Sequence, residues 1–239
     1  MQTVELQVLA GGALTGPMSE LAALYENTTG QKIVLRFGTT PVLINLATTG
    51  GPFDLGVVPV DVMQDAAARA RFAPGPTTDI ARVGLGVAVR SGAAKPDIGT
   101  ADALKRALLN ARTVATIPAS AGGTQAARVF AALGISEEMK TRIKGYATPA
   151  QFVQGVAAGE VDFGIFLRNV LTAPGLDVVG SVPTDLHQEV VFTAAVAEYT
   201  TAARAAEAFI AFLRTPAATT LLKARGMTCL LYTSDAADE

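Results

Sequence analysis

The sequence is poor in the residues that carry most metal and nucleophilic chemistry. Its 239 residues include no tryptophan, one cysteine and one histidine. Zinc-type ligand spacing and the phosphate-loop pattern are missing, and GLGVAV lacks the last glycine of the dinucleotide-binding pattern. His187 lies in DLHQEV, too close in sequence to Ser181 and Asp185 for a triad to be assumed. We therefore expect no cofactor, no metal and no catalytic centre.

Charge and long apolar runs are scarce as well. Only 17% of the residues are charged, and the formal net charge is −2. A nucleic-acid-binding surface needs clustered Lys and Arg, and the sequence has no such run. No apolar stretch approaches the ~20 residues that a membrane-spanning helix needs. We expect the chain to bind no nucleic acid and to insert into no membrane.

Both ends of the chain carry expectations of their own. The first residues, MQTVELQVLAGG, alternate like a strand and lack the segments of a secretory signal. We expect no signal in the chain as given, so that either a mature-length or truncated reading frame was used or the protein stays inside the cell. Residues 228–239 differ in composition from the Ala-, Val-, Leu- and Gly-rich sequence before them. From Cys229 onward, CLLYTSDAADE resembles a translated sequencing adapter. We predict that this tail is non-native, which would leave the native chain without cysteine.

Strand-like and helix-like patterns alternate along the chain, and half of all residues are apolar. Such alternation predicts an α/β fold with largely parallel sheets covered by helices. The predicted strands are 4–10, 32–37, 53–59, 83–90, 113–117, 161–166, 176–182 and 189–197. The predicted helices are 17–27, 41–48, 61–71, 101–111, 123–133, 136–143, 149–158, 201–214 and 216–224.

Several helix starts are marked by a threonine before a proline. Thr40-Pro41, Thr148-Pro149 and Thr215-Pro216 each place a capping hydroxyl before a proline at the first helical position. Capping-box spacing is present in TPAQ, 148–151, and in DVMQ, 61–64. In this interpretation Thr40 caps its helix, and the neighbouring Thr39 is left with a spare hydroxyl.

Small, neutral residues occupy four turns in which a strand leads into a helix. A helix start has unpaired N–H groups and the positive end of the helix dipole, which together can hold an anion without any charged side chain. For any single turn, ordinary helix capping is the more common role. If the turns converge across a cleft, they predict an anion site. The four turns are residues 11–16, 38–41, 120–124 and 147–149.

The order of these motifs resembles a known family. Residues 4–59 include VELQVLAGGALTGPMSELAALY, the turn FGTTP and the strand start GPFDLGVVP. Later segments extend the similarity to residue 227, among them RVGLGVAVRSG, GEVDFGI and FLRTPAA. Together they resemble the molybdate-binding proteins of bacterial ABC importers. The resemblance covers nearly all of residues 4–227.

The resemblance implies a type II periplasmic-binding-protein fold, in which two α/β lobes are joined by two crossing strands. Lobe one would be 1–84 plus 191–227, and lobe two would be 85–190. The crossing strands would be VGLGVAVR and EVVFTAAVA. Proteins of this family close like a hinge on an anion and deliver it to a membrane permease. The resemblance thus implies a monomer, a periplasmic location and an ABC permease as partner.

The resemblance also implies a set of site residues. Thr39 and Thr40 would supply hydroxyl donors, and Arg168 a charge that could hold a carboxylate. The remaining positions, which would supply backbone groups or shape, are Ala13, Leu14, Gly122 and Gly123.

Three positions depart from the family pattern. A serine of the family is Ala13 here, and a tyrosine is Leu167. The fourth turn has Pro149, which has no N–H to donate. The expected ligand is therefore either a molybdate-like oxyanion or a small carboxylate.

Two other functions remain open at this stage. One is a cytoplasmic ligand-sensing domain of the same fold, which agrees with the missing signal. The other is an isomerase or lyase of small organic acids, for which His187 or Arg168 would be the residues to replace.

Overall fold

The computed structural model describes residues 5–229, which form ten strands and eleven helices arranged around two sheets. The strands are β1 (Leu6–Gly11), β2 (Ile33–Gly38), β3 (Leu55–Pro59), β4 (Thr78–Val83), β5 (Leu85–Arg90), β6 (Val114–Thr116), β7 (Ile143–Gly145), β8 (Phe163–Leu167), β9 (Leu176–Ser181) and β10 (Val190–Val196). The helices are α1 (Thr15–Thr29), α2 (Thr40–Thr49), α3 (Val60–Gln64), α4 (Ala66–Arg69), α5 (Ala101–Asn110), α6 (Ala121–Ala132), α7 (Ser136–Lys140), α8 (Pro149–Ala157), α9 (Arg168–Leu171), α10 (Ala203–Leu213) and α11 (Pro216–Ala224).

Each sheet has five strands and is mixed rather than largely parallel. The first has the order β2-β1-β3-β10-β4, and the second β7-β6-β8-β5-β9. In the first sheet β1 is parallel to β2 and β3, whereas β10 is antiparallel to β3 and β4. In the second sheet β6 is parallel to β7 and β8, whereas β5 is antiparallel to β8 and β9. The expectation of largely parallel sheets was wrong because β5 and β10 enter their sheets from the other lobe.

All eight predicted strands are present, and the structure adds β4 and β7. Strand β4 escaped prediction because Asp79 and Arg82 interrupt its apolar pattern, and β7 because it has only three residues. The predicted helix 61–71 is two short helices, since Asp65 is extended between them and accepts a hydrogen bond from Ala68 N at 2.8 Å. The capping box predicted at 61–64 was wrong, because α3 already begins at Val60.

The chain passes between the sheets twice. The segment VGLGVAVR is split at Gly84, with Val83 ending β4 in the first sheet and Leu85 starting β5 in the second. The return passage runs from the end of β9 to Val190, the first residue of β10. We therefore keep 1–84 plus 191–227 and 85–190 as the proposed lobes.

His187 links the two passages. Its Nε2 accepts the backbone N–H of Leu85 at 2.9 Å, and its Nδ1 lies 3.3 Å from the carbonyl oxygen of Pro183. The first contact requires an unprotonated Nε2, so the ring carries its proton on Nδ1. The one histidine is thus a structural residue of the hinge.

The start of the predicted tail is packed against the first lobe. Thr228 exchanges two backbone hydrogen bonds with Arg82, of 2.7 and 2.8 Å. The Cys229 side chain is buried, and burial raises the pKa of its thiol. The origin of the tail stays a prediction, and residues 230–239 lie outside the described part of the chain.

The hydrogen bond from Leu85 N to His187 Nε2 predicts that the free energy of unfolding depends on pH. Burial lowers the pKa of His187 from its ordinary value of 6.5, against the opposing effect of Pro183 O, Glu189 and Asp185. A lowered pKa means that the unfolded chain binds the proton more readily. The stabilisation that neutral His187 contributes to the folded state is fully present above about pH 6.5. It is lost as the pH falls through the folded-state pKa of His187.

We expect the thermal unfolding midpoint of the wild type to fall between about pH 7 and pH 5, the range around the histidine pKa. In His187→Gln, an amide oxygen can still accept from Leu85 N without titrating, so this step should shrink. Because the sequence has one histidine, its imidazole NMR titration reports the folded pKa directly. A histidine pKa at or above 6.5 would contradict the assignment.

Candidate functional site

The four predicted turns meet at one small cavity between the lobes. The first two contribute Gly11–Ala13 after β1 and Gly38–Thr40 after β2. The other two contribute Ser120–Gly122 at the start of α6 and Pro149 at the start of α8. The cavity measures about 20 Å³ and is closed on its inner side by Pro59, Ile117, Phe166, Leu167 and Phe192. Turns from both lobes therefore face the same enclosed space.

Unpaired backbone donors surround this space. Helix α2 begins at Thr40 and α6 at Ala121, and the first N–H groups of a helix have no partner within it. In α6 the Ser120 hydroxyl accepts the N–H of Gly123 at 3.0 Å, which leaves those of Ala121 and Gly122. The cavity-lining residues that the structure describes include no charged side chain. Its positive character comes from helix dipoles alone.

Neither threonine caps α2 through its side chain. Thr39 occupies the position before α2, but its side chain makes no capping hydrogen bond. Thr40 is the first helical residue, and its Oγ1 is buried without a hydrogen-bond partner. The prediction that Thr40 caps the helix was therefore wrong. A buried hydroxyl without a partner costs about 1–3 kcal/mol, and Thr40 Oγ1 is one of seven such side-chain atoms among the described residues.

The other expected site residues divide into two groups. Ala13 and Gly122 line the cavity. Leu14 is 2% exposed and belongs to the hydrophobic core, and the Gly123 N–H is bonded to Ser120, so neither lines it. Arg168 is exposed and also lies outside the cavity lining, and its backbone N–H donates to Gly84 O at 3.0 Å. The structure thus brings four of the seven residues to the cavity.

Asn169 was missed by sequence reasoning. It is 7% exposed, and its Nδ2 donates to the carbonyl oxygen of Ala13 at 2.7 Å, from α9 of one lobe to the first turn of the other. Its Oδ1 is buried and has no partner. The four-residue helix α9 was too short to be recognised by periodicity, so no sequence signal marked Asn169. The Asn169 side-chain amide therefore forms a direct hydrogen bond across the cleft.

A larger groove of about 940 Å³ opens outward from the cavity. It shares Gly12, Ala13, Gly38, Thr39 and Pro149 with the cavity lining. The starts of α1 and α2 form one wall, and α8 and α9 form the other. Cavity and groove therefore adjoin at these five residues.

Residues 5–229, the described part of the chain, lack a metal-binding cluster and a membrane-spanning helix. No cluster of three or more His, Cys, Asp or Glu side chains is placed to hold a metal. Within the same residues, no helix is long and apolar enough to cross a membrane.

The chain belongs to the bacterial extracellular solute-binding protein family, whose model matches residues 6–228. It is 28% identical to an aconitate isomerase from a Pseudomonas species, over 93% of this chain and 87% of that protein. It is also 28% identical to the molybdate-binding protein ModA of Azotobacter vinelandii, over 94% and 90% of the two chains.

Solved structures show the same fold. The periplasmic molybdate-binding protein of Azotobacter vinelandii superposes with a TM-score of 0.80 at 19% identity, covering 95% of this chain and all of that one (100%). The sulfate-binding protein SubI of Mycobacterium tuberculosis gives 0.72 at 16% identity, over 95% and 87% of the two chains. The predicted two-lobe type II fold and the likeness to molybdate-binding proteins are confirmed.

Gly123 gives a test of the local geometry at the start of α6. A Cβ on Gly123 would lie 2.1 Å from the carbonyl oxygen of Ile117, a backbone atom that cannot rotate away. We expect Gly123→Ala to lower the free energy of unfolding by about 1–3 kcal/mol or more in urea denaturation.

Gly16→Ala is the matched control, since Gly16 lies within α1 and has no neighbouring atom within 4 Å of a new Cβ. Alanine there should be neutral or stabilise by about 0.5–1 kcal/mol. Equal stability of the two variants would contradict the described path of the chain from Ile117 to Gly123.

Proposed function

We propose that the protein captures a small anion between its lobes, either a molybdate-like oxyanion or a small carboxylate, for import through an ABC permease. The observation that carries the proposal is the meeting of neutral donors from both lobes at one cavity, where Thr40 Oγ1 is buried without a partner. An anion there would accept from the N–H groups at two helix starts and from this hydroxyl. Membership in the solute-binding family supports the same function.

Closure follows from donors that belong to different lobes. An anion held by the start of α2 on one side and by the start of α6 on the other gains its full set of hydrogen bonds only when the cleft is shut. The hydrogen bond from Asn169 to Ala13 O is also available only in that state. Binding would thus shift a hinge equilibrium toward the closed form. The hinge would lie at Gly84 and at the return passage near His187.

The neutral lining favours an anion that is fully ionised at neutral pH. Neutral donors stabilise a negative charge but supply no proton and no counter-charge. Ala13 and Leu167 place no side-chain donor in the cavity, so the ligand would depend on backbone N–H groups and on the hydroxyls of Thr39 and Thr40. The 28% identical ModA of Azotobacter vinelandii is a molybdate-binding protein, which supports molybdate as one candidate. A periplasmic location, a monomeric state and delivery to a permease belong to the same proposal.

Isomerisation of a small acid is the second candidate, because one relative is an aconitate isomerase. Such a reaction moves a proton and needs a positioned acid or base. The described residues of the cavity lining offer only hydroxyl groups, those of Thr39, Thr40 and Ser120. His187 is engaged at the hinge with Leu85 N. We therefore rank anion binding above isomerase activity as the proposed function. Incubation of the protein with cis- or trans-aconitate, followed by chromatography, tests whether one isomer is converted into the other.

The proposal is tested by a thermal-shift screen of the full chain. The panel contains molybdate, tungstate, sulfate, phosphate and small mono-, di- and tricarboxylates. A ligand at 100 times its dissociation constant should add about 2.7 kcal/mol of stability, a shift of several degrees. No shift with any anion of the panel would contradict the proposal.

Thr40→Val separates binding from stability. Because Thr40 Oγ1 has no partner in the protein, an isosteric methyl should leave the ligand-free stability unchanged or higher. The same change should weaken anion binding about 10- to 100-fold, since a hydrogen bond to a charged group contributes about 1.5–3 kcal/mol. Calorimetry measures the affinity.

Thr49→Val is the control, at the opposite end of α2, where the hydroxyl is bonded to Asn45 O at 2.9 Å. It should leave anion affinity unchanged. Equal affinities of Thr40→Val and the wild type would remove Thr40 from the site.

A further inference from the structure

The groove outside the anion cavity is far larger than an inorganic oxyanion requires. The inner cavity measures about 20 Å³, whereas the groove that continues from it measures about 940 Å³. Ligand pockets for organic molecules span about 300–1,000 Å³. The size of the groove therefore matches an organic body rather than a tetrahedral ion.

The chemistry of the groove walls differs from that of the cavity. Apolar side chains dominate both walls, and they come from α1, β2 and α2 on one side and from α8 on the other. They include Pro17, Phe37, Val42, Ala150, Val153 and Ala157. Val42 is 46% exposed, although a large apolar side chain in water is unfavourable. Such a surface gains most from an apolar occupant.

Charge in the groove is nearly absent. Of the described residues that line it, Arg225 is the one with a charged side chain, and its guanidinium is paired with Glu20. The groove therefore does not attract a second carboxylate or phosphate. A polyanion that fills both spaces is disfavoured by its own desolvation cost.

The two spaces meet at defined residues. Gly12, Ala13, Gly38, Thr39 and Pro149 line both the cavity and the groove, so the two spaces adjoin. Asn169 also lines the groove, is 7% exposed and has an Oδ1 without a partner. Thr148, Gln154 and Thr172 are further polar residues of the groove lining.

We propose that the ligand is an organic anion with one anionic head group and an apolar body. The head group occupies the cavity at Thr40 and the starts of α2 and α6, and the body extends past Gly38 and Pro149 into the groove between α2 and α8. This inference rests on the proposed function and goes beyond it by naming the ligand class: monoanionic carboxylates or sulfonates with an aliphatic or aromatic body of several carbons.

The test is a homologous series measured by calorimetry on the full chain. Acetate, butyrate, hexanoate and phenylacetate share a head group, and the matching alkylsulfonates form a second series. Each methylene buried in the groove should raise affinity about fourfold. Hexanoate should therefore bind well over 100-fold more tightly than acetate, and sulfate or molybdate should bind no more tightly than the short acids.

Two variants address the groove without touching the cavity lining. Ala150→Phe adds bulk to the exposed face of α8, and Val42→Asn replaces the exposed apolar side chain of α2 by a neutral polar one. Each should lower hexanoate affinity at least tenfold and leave acetate affinity within about twofold. Leu24→Asn is the control, since Leu24 is a similarly exposed apolar side chain, 39%, outside the groove. It should change neither affinity.

The possible failures are distinguishable. If an inorganic oxyanion binds and affinity is flat or falls along the acid series, the organic-ligand inference is overturned while the proposed function stands. If hexanoate binds but both groove variants bind it with wild-type affinity, the apolar body of the ligand lies outside the groove. The inference is then again overturned. If no anion binds in any series, the proposed function fails with it.

Discussion

The unpaired N–H groups at helix starts are the constraint on which the rest of the structure depends. Every helix leaves its first N–H groups without an internal partner, and a buried donor without a partner is unfavourable. Within the described residues a side chain caps five of the eleven α-helix starts, as Thr148 does for Gln151 N at 3.2 Å and Thr215 for Ala218 N at 3.4 Å. At α2 the chain instead places Thr39 without a capping bond and Thr40 with a buried, unpartnered hydroxyl. The start of α2 therefore differs from those helix starts, because no side chain of the described residues caps it.

The two-lobe topology brings such starts together. The parallel strands β1 and β2 both lead into helical turns at the same edge of the first sheet, after Gly11 and Gly38. Strand β6 leads to α6 in the second sheet in the same way. Because the chain passes between the sheets twice, the two edges are held face to face. Convergence of the donors is therefore a property of chain order, and no single residue creates it.

Much of the fold was readable from the sequence, because apolar periodicity and helix caps are local signals. All eight predicted strands exist, and Thr148-Pro149 and Thr215-Pro216 begin helices as predicted. What failed was non-local: the antiparallel entry of β5 and β10 into their sheets. Local pattern also could not detect β7 or α9, which have three and four residues.

The site was predictable in outline and not in atomic detail. The four turns were identified by their small residues, and all four contribute to the cavity lining. Which hydroxyl is free depends on where α2 begins, and a shift of one residue makes Thr40 the first helical residue instead of the cap. Arg168 has the right charge and follows the right strand, but its side chain is exposed outside the cavity. Its neighbour Asn169 is the residue that reaches across the cleft.

The absence of charge among the described cavity residues has a physical consequence for selectivity. A buried arginine would attract any anion, and its own desolvation would have to be offset by each ligand. Neutral N–H and hydroxyl donors have a smaller desolvation cost, and they stabilise an anion only when its oxygens match their directions. Under the proposed function, discrimination would depend on geometry in the cavity and on apolar contact in the groove. The low overall charge of the chain fits that proposal, since long-range attraction would contribute little.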